Sequence, residues 1–140
     1  MRFASREWLA AVVAELNRQP DLAEALAGLG RDAALVVEAD GGWPVATAVY
    51  GEQRGGRIAT VRVLADEDDI LEIEPAYVLR APYRVWRELL RGGDPVRAAL
   101  SGQVRVEGDL EALVRRVGYR RLVDGALAAV PTEFPPEGGG

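Results

Sequence analysis

A chain of 140 residues with a formal net charge of −5 is long enough for one well-packed domain and too acidic to present the concentrated positive surface that nucleic-acid phosphates require. It contains no cysteine, histidine or lysine, and its 17 basic residues are all arginine. Disulfides, thiolate metal sites, an imidazole base, a Schiff base and a phosphate-loop lysine are therefore excluded.

The opening "SREWLAAVVAELNRQP" predicts a helix capped by Ser5, with Leu9, Val12, Val13 and Leu16 on one stripe and Pro20 beyond its end. Residues 21–27 predict a short second helix that leaves through Gly28 and Gly30. The hydrophobic period then changes from 3.6 to 2. Residues 33–39, 45–50 and 58–65 predict three strands of an antiparallel meander, the last two joined by the glycine-rich turn "GEQRGG". Leu35 and Val37 share one side of the first strand, and Ala59, Val61 and Val63 share one side of the third, so the sheet has a dry face that something must cover.

Residues 70–79 read as a fourth extended segment interrupted by Pro75. Pro82 predicts the first position of a helix with Tyr83, Trp86 and Leu90 on one side and Arg84, Arg87 and Arg91 on another. After "RGGDP" a one- to two-turn helix, 96–100, leads into a strand, 103–107, where Val104 and Val106 alternate with Gln103, Arg105 and Glu107. Asp109 predicts the cap of a last helix with Leu110, Leu113, Val114 and Val117 on its inner face. Gly118 breaks or bends that helix. The next segment contains "GALAAV", a charge-free run expected to act as a mobile flap over something apolar. Residues 131–140 are too rich in Pro and Gly to pack, so one domain spans 1–130 and a flexible tail follows.

No motif assembles a catalytic site. "GLGRDA", Gly28 to Ala33, matches a dinucleotide fingerprint but leaves a helix and enters a strand, the reverse of the required order. "GEQRGG" lacks the lysine and hydroxyl of a phosphate loop. "DEDD", Asp66 to Asp69, lacks the spacing of a cation loop and reads as a solvated turn. Ser5 and Ser101 have no base beside them in the composition, and Asp109 with Glu111 is explained by helix capping. The Arg84, Arg87 and Arg91 stripe reads as a solvated helix face, with contact to a carboxylate or phosphate head group as the alternative. Arg115, Arg116, Arg120 and Arg121 stand beside an apolar helix and could meet anionic lipid. No cofactor and no metal are expected. No apolar run approaches the about 18 residues that span a bilayer, and residues 1–20 are amphipathic and unlike a leader, so a cytoplasmic location is expected. Few Asn, Met and Cys fit a thermophile or a GC-rich genome.

The stretch "YVLRAPYRVWRELLRGGDPVRAALSGQVRVEGDLEALVRRV", Tyr77 to Val117, resembles the second half of a sterol carrier protein 2 type lipid-binding domain in a bacterial form. The matching positions are Trp86, Gly92, Asp94, Pro95, Ala98, Leu100, Gly102, Val104, Val106, Gly108 and Asp109. The order of the front half, a "REWL" helix and then three strands, is similar as well. The resemblance implies an α+β fold: a mostly antiparallel five-stranded sheet with helices packed over one face, enclosing an apolar tunnel. It implies a non-catalytic carrier or presenter of lipid, with fatty acid, acyl-CoA or isoprenoid fitting better than a sterol. The final "EGGG" is not a peroxisomal address.

On this reading Val61, Val63, Tyr83, Trp86, Leu90, Leu100, Val104, Val106, Leu113 and Val117 are expected to line the tunnel, with Arg84 and Arg87 near a head group. The expected partners are a lipid or fatty acyl ligand and, transiently, a membrane or a lipid-metabolising enzyme, with the chain a monomer or homodimer. Two other classes stay open: an accessory domain that docks on such an enzyme, and a small hydrolase or isomerase built on paired carboxylates.

Overall fold

Five strands form one mixed sheet in the computed structural model, which describes residues 1–27, 29–115 and 118–135. They are β1 (Asp32–Glu38), β2 (Thr47–Arg54), β3 (Arg57–Val63), β4 (Tyr77–Pro82) and β5 (Arg105–Glu107), in the spatial order β3-β2-β1-β4-β5. The first three are the predicted antiparallel meander; β4 joins β1 in parallel, and β5 joins β4 antiparallel. Strand β2 runs on through "GEQR", so the hairpin turn is only Gly55 and Gly56. Their φ angles of 61° and 77° lie in the left-handed region that a two-residue hairpin turn demands.

Seven helices accompany the sheet among the described residues: α1 (Arg6–Arg18), α2 (Leu22–Leu26), α3 (Asp69–Ile73), α4 (Tyr83–Leu90), α5 (Pro95–Leu100), α6 (Leu110–Arg115) and α7 (Gly118–Ala129). Side-chain caps hold three of them, two predicted (Ser5 and Asp109) and one, Asp94, that was not. The Ser5 hydroxyl accepts from the Trp8 amide at 3.1 Å, Asp94 from Val96 and Arg97 at 3.0 and 3.3 Å, and Asp109 from Ala112 at 3.1 Å.

Residues 70–79 pair as strand from Tyr77, in β4, but the part before Pro75 differs from expectation. The Asp66 carboxylate accepts the Asp68 amide at 2.8 Å and starts a turn, α3 follows, and Glu74 ends it at φ 51° just before Pro75. Ile70 and Ile73, three residues apart, thereby reach the same surface. Pro82 closes β4, and α4 starts one residue later than predicted.

Register decides which residues share a face. Ala34, Val36, Ala48, Tyr50 and Val78 form one buried layer, closed by Leu64, Ile70 and Ile73. The opposite face, carrying Leu35, Val37, Val49, Val61, Val63, Leu79 and Val106, takes the other helices. There α1 lies over β3, and Asn17 exchanges two hydrogen bonds with the Ile58 backbone, at 3.0 and 2.9 Å. Helix α7 packs against α1 and α2 and buries Leu122 and Ala126, with Val130 just beyond it. The segment expected as a mobile flap is thus part of the core.

Residues 131–135, expected in a flexible tail, also pack; 136–140 lie outside the described residues. The Phe3 amide donates to the Glu133 carbonyl at 2.9 Å, the Trp8 indole to the Thr132 hydroxyl at 2.8 Å, and the Tyr83 hydroxyl to the Pro135 carbonyl at 2.6 Å. Phe134 joins Phe3, Trp8, Trp43 and Tyr83 in an aromatic cluster, with the Arg91 guanidinium over its ring at 5.0 Å. Proline discourages helix and strand, but it does not prevent an aromatic side chain from docking. No described helix is long and apolar enough to cross a membrane.

Deleting residues 131–140 is expected to cost about 2–4 kcal/mol, from the lost aromatic packing and three orphaned partners. A urea melt followed by circular dichroism measures it. An unchanged midpoint would show that the segment contributes nothing to the core.

Candidate functional site

Between the helix-covered face of the sheet and the helices lies a half-open cavity of about 440 Å³, a size typical of small-molecule sites, roughly 300–1,000 Å³. Its floor is Ala33 and Leu35 from β1, Leu79 from β4, and Val104 and Val106 at β5. Trp86, Leu89 and Leu90 of α4 form one wall, and Pro95, Val96 and Ala99 of α5 form the next. Leu26 and Leu29, at and just beyond the end of α2, Leu110 of α6, and Val123 and Asp124 of α7 complete it. Asp124, exposed at the rim, is the only ionisable side chain among the described lining residues.

The exposure of Leu35 defines the site. It sits in the middle of the central strand, where Ala34 and Val36 on the other face are 0% exposed, yet Leu35 is 39% exposed. A central-strand leucine is normally sealed by a helix. Here it is left part-exposed at the cavity floor.

Local sequence fixes the surrounding walls. The Trp86 indole donates to the Val36 carbonyl at 2.9 Å, which satisfies its polar edge and leaves the ring for the apolar wall. Gly108 has φ 122°, and a Cβ there would fall 2.6 Å from the Ala76 carbonyl oxygen and 2.7 Å from the Tyr77 ring. Only glycine lets the chain leave β5 so close to β4 and bring Leu110 over the floor.

Of the residues expected to line a tunnel, the structure brings Trp86, Leu90, Val104 and Val106 together on this cavity. Val61 and Val63 are on the same sheet face but on the edge strand β3, under α1. Tyr83 is fully buried in the aromatic cluster, stacked on Trp43 at 5.1 Å. Leu100 is 66% exposed and not in the lining, because α5 turns Ala98 inward. Arg84 and Arg87 lie outside the lining; the Arg84 amide instead donates to the Asp40 carboxylate at 3.2 Å. The side chains of Leu113, Arg115 and Arg120, the residues Arg116 and Val117, and Gly28 of "GLGRDA" lie outside the described residues. Sequence reasoning missed Leu26 and Leu29, although "ALAGLG" is a charge-free run of the same kind as "GALAAV".

The buried polar chemistry is on the other face. The Tyr50 hydroxyl lies 2.7 Å from Asp32 Oδ2 and 2.9 Å from Glu52 Oε1, and the Ala76 amide donates to Asp32 Oδ1 at 2.8 Å. Burial, then the two carboxylates that accept from the phenol, hold the Tyr50 pKa well above its ordinary value. The Arg62 guanidinium stands 5.4 Å from the ring centroid on the same face. This network ties β1 to β2 and to the start of β4, with its back to the cavity.

No family model matches the sequence, and no curated protein matches it by sequence. Solved structures do. The chain superposes on a crystal structure of sterol carrier protein 2 with a TM-score of 0.72 at 24% identity, covering 88% of this chain and 95% of that one. A conserved hypothetical protein of Thermus thermophilus, described as a candidate sterol carrier protein, gives 0.73 at 22% identity, covering 92% and 90%. A ubiquinone synthesis protein, UbiJ-SCP2, gives 0.51 at 21% identity, covering 84% and 85%. The chain has the sterol carrier protein 2 fold.

Tyr50→Phe is expected to cost about 1–3 kcal/mol, because two carboxylates lose their shared donor. Since the folded phenol holds its proton more tightly than the unfolded one, the parent keeps this stability below about pH 10 and loses it progressively above. The variant should lack that alkaline loss. Urea melts at about pH 7 and about pH 10.5 measure both effects; equal alkaline losses would contradict the assignment.

Proposed function

We propose that this chain binds the long apolar part of a lipid in the cavity over Leu35 and carries or presents it without altering it. The observation that carries the reading is a 39% exposed leucine on a central strand, at the floor of a cavity of about 440 Å³ with one ionisable side chain among its described lining. Such a lining offers chain burial worth about 0.8 kcal/mol per methylene and no pair of acids for proton transfer. A fatty acid, an acyl-CoA or an isoprenoid fits this better than a sterol, since flexible chains adapt to a half-open groove. The likeness to structures called sterol carrier protein 2 supports the lipid class. The likeness to a ubiquinone synthesis protein favours, as a second reading, presentation of an isoprenoid to a partner enzyme.

Leu35→Trp tests the site directly. The indole would enter open space, so delipidated protein should keep its melting temperature within about 3 °C, a stability change of about 1 kcal/mol or less. Saturable binding of a fluorescent C16 acid should weaken at least about tenfold, or 1.4 kcal/mol. Unchanged affinity would place the lipid elsewhere; no saturable binding by the parent of acids, acyl-CoA or isoprenoid alcohols would reject the reading.

A further inference from the structure

One side chain reaches the backbone of the wall formed by Leu26 and Leu29. The Gln53 Nε2 atom lies 2.8 Å from the Gly30 carbonyl, 3.1 Å from that of Leu26 and 3.4 Å from that of Leu29. A primary amide has two hydrogens, so the two shorter contacts take them and the third is a weaker neighbour. These carbonyls belong to the end of α2 and the loop beyond it, and the helix also meets α7 and β3. Leu22 is the one buried residue of that helix, and Asp21 makes no side-chain cap.

Gln53 faces α2 because it shares the side of β2 that carries Val49 and Gly51. The β2–β3 register shifts beside it, where Ala59 of β3 is left unpaired between Ile58 and Thr60. The Gln53 amide is anchored to the Arg31 carbonyl at 2.9 Å. Three residues on, a Cβ at Gly56 would stand 2.6 Å from the Ala23 Cβ, so the hairpin also seats the body of α2. The β2–β3 hairpin is thus the bed on which one cavity wall rests.

We propose that Gln53 is a positioning residue of the lipid site, whose amide holds the α2 end closed over the cavity and sets how fast a chain enters and leaves. This rests on the function proposed above. Removing the donors frees Leu26 and Leu29 to swing away, which changes exchange rates more than affinity, because the floor and the other walls remain.

The test compares full-length parent, Gln53→Met and Gln53→Lys. Methionine keeps length and removes the donors; lysine restores three donors and adds no acceptor. Stopped-flow displacement of cis-parinaric acid should show release at least fivefold faster for Gln53→Met, with affinity changed less than threefold, and Gln53→Lys within twofold of the parent. Amide hydrogen exchange over residues 24–30 should quicken at least tenfold in Gln53→Met, with α1 and β1 unaltered. Parent-like behaviour of Gln53→Met, or a lysine variant as fast as the methionine one, overturns the assignment. If the parent binds no acyl probe, the lipid reading has failed, and the exchange data alone decide what Gln53 holds. Should Gln53→Met not fold, Gln53→Asn, one methylene short of the carbonyls, supplies the same comparison. If only the lysine variant folds, Gln53 is a folding residue and the proposal is wrong.

Discussion

A strand in the middle of a sheet has two faces to cover, and β1 has one sealed throughout and the other sealed at Val37 but part-exposed at Leu35. On one side Ala34 and Val36 vanish beneath Leu64, Ile70 and Ile73. On the other, α1 sits over β3 while α4 and α5 stand over β4 and β5, and the space above Leu35 and Leu79 lies between these groups. Protein interiors pack as densely as organic crystals, so an apolar gap of this size in the layer is a departure from close packing. A C16 chain placed there would gain on the order of 10 kcal/mol from transfer before its ordering costs are subtracted.

The polar groups are distributed accordingly. The Tyr50, Asp32 and Glu52 network locks β1, β2 and the start of β4 from the sealed face, and the aromatic cluster of Phe3, Trp8, Trp43, Tyr83 and Phe134 ties the two ends of the described chain together beside α4. Both brace the sheet without entering the cavity. Trp86 stands between: it packs with the aromatic cluster and with the Ala81 and Val85 cluster while its ring lines the site. The α2 wall is tied by Gln53 and by its packing on α7 and β3.

Much of this was legible in the sequence, where a local rule and the tertiary structure agree. Ser5 and Asp109 marked helix starts because an oxygen at that position satisfies otherwise unpaired amides, and the period-two runs marked the meander. The rest depended on partners that spacing does not reveal. Ile70 and Ile73 fit a strand or a helical turn equally well, and the layer they cover decided. Tyr83, Trp86 and Leu90 share one stripe, but the Phe3 and Trp43 rings claim Tyr83 while Trp86 and Leu90 reach the cavity. Val61 and Val63 face the right way on the wrong strand, since the order of strands in a sheet is not written in their alternation. The tail composition argued against regular structure and said nothing about the docking of Phe134. Leu35 was visible as sharing a side with Val37; that it would stay part-exposed was not.

The central claim is that the space over Leu35 is a lipid site and not a packing defect. Native mass spectrometry of the purified protein, followed by solvent extraction, tests it most directly. The account requires a one-to-one adduct on the 15.1 kDa chain that yields an amphiphile with a long apolar chain, or stoichiometric uptake of one when the delipidated protein is incubated with fatty acids, acyl-CoA and isoprenoid alcohols. A bare mass in both experiments would contradict it.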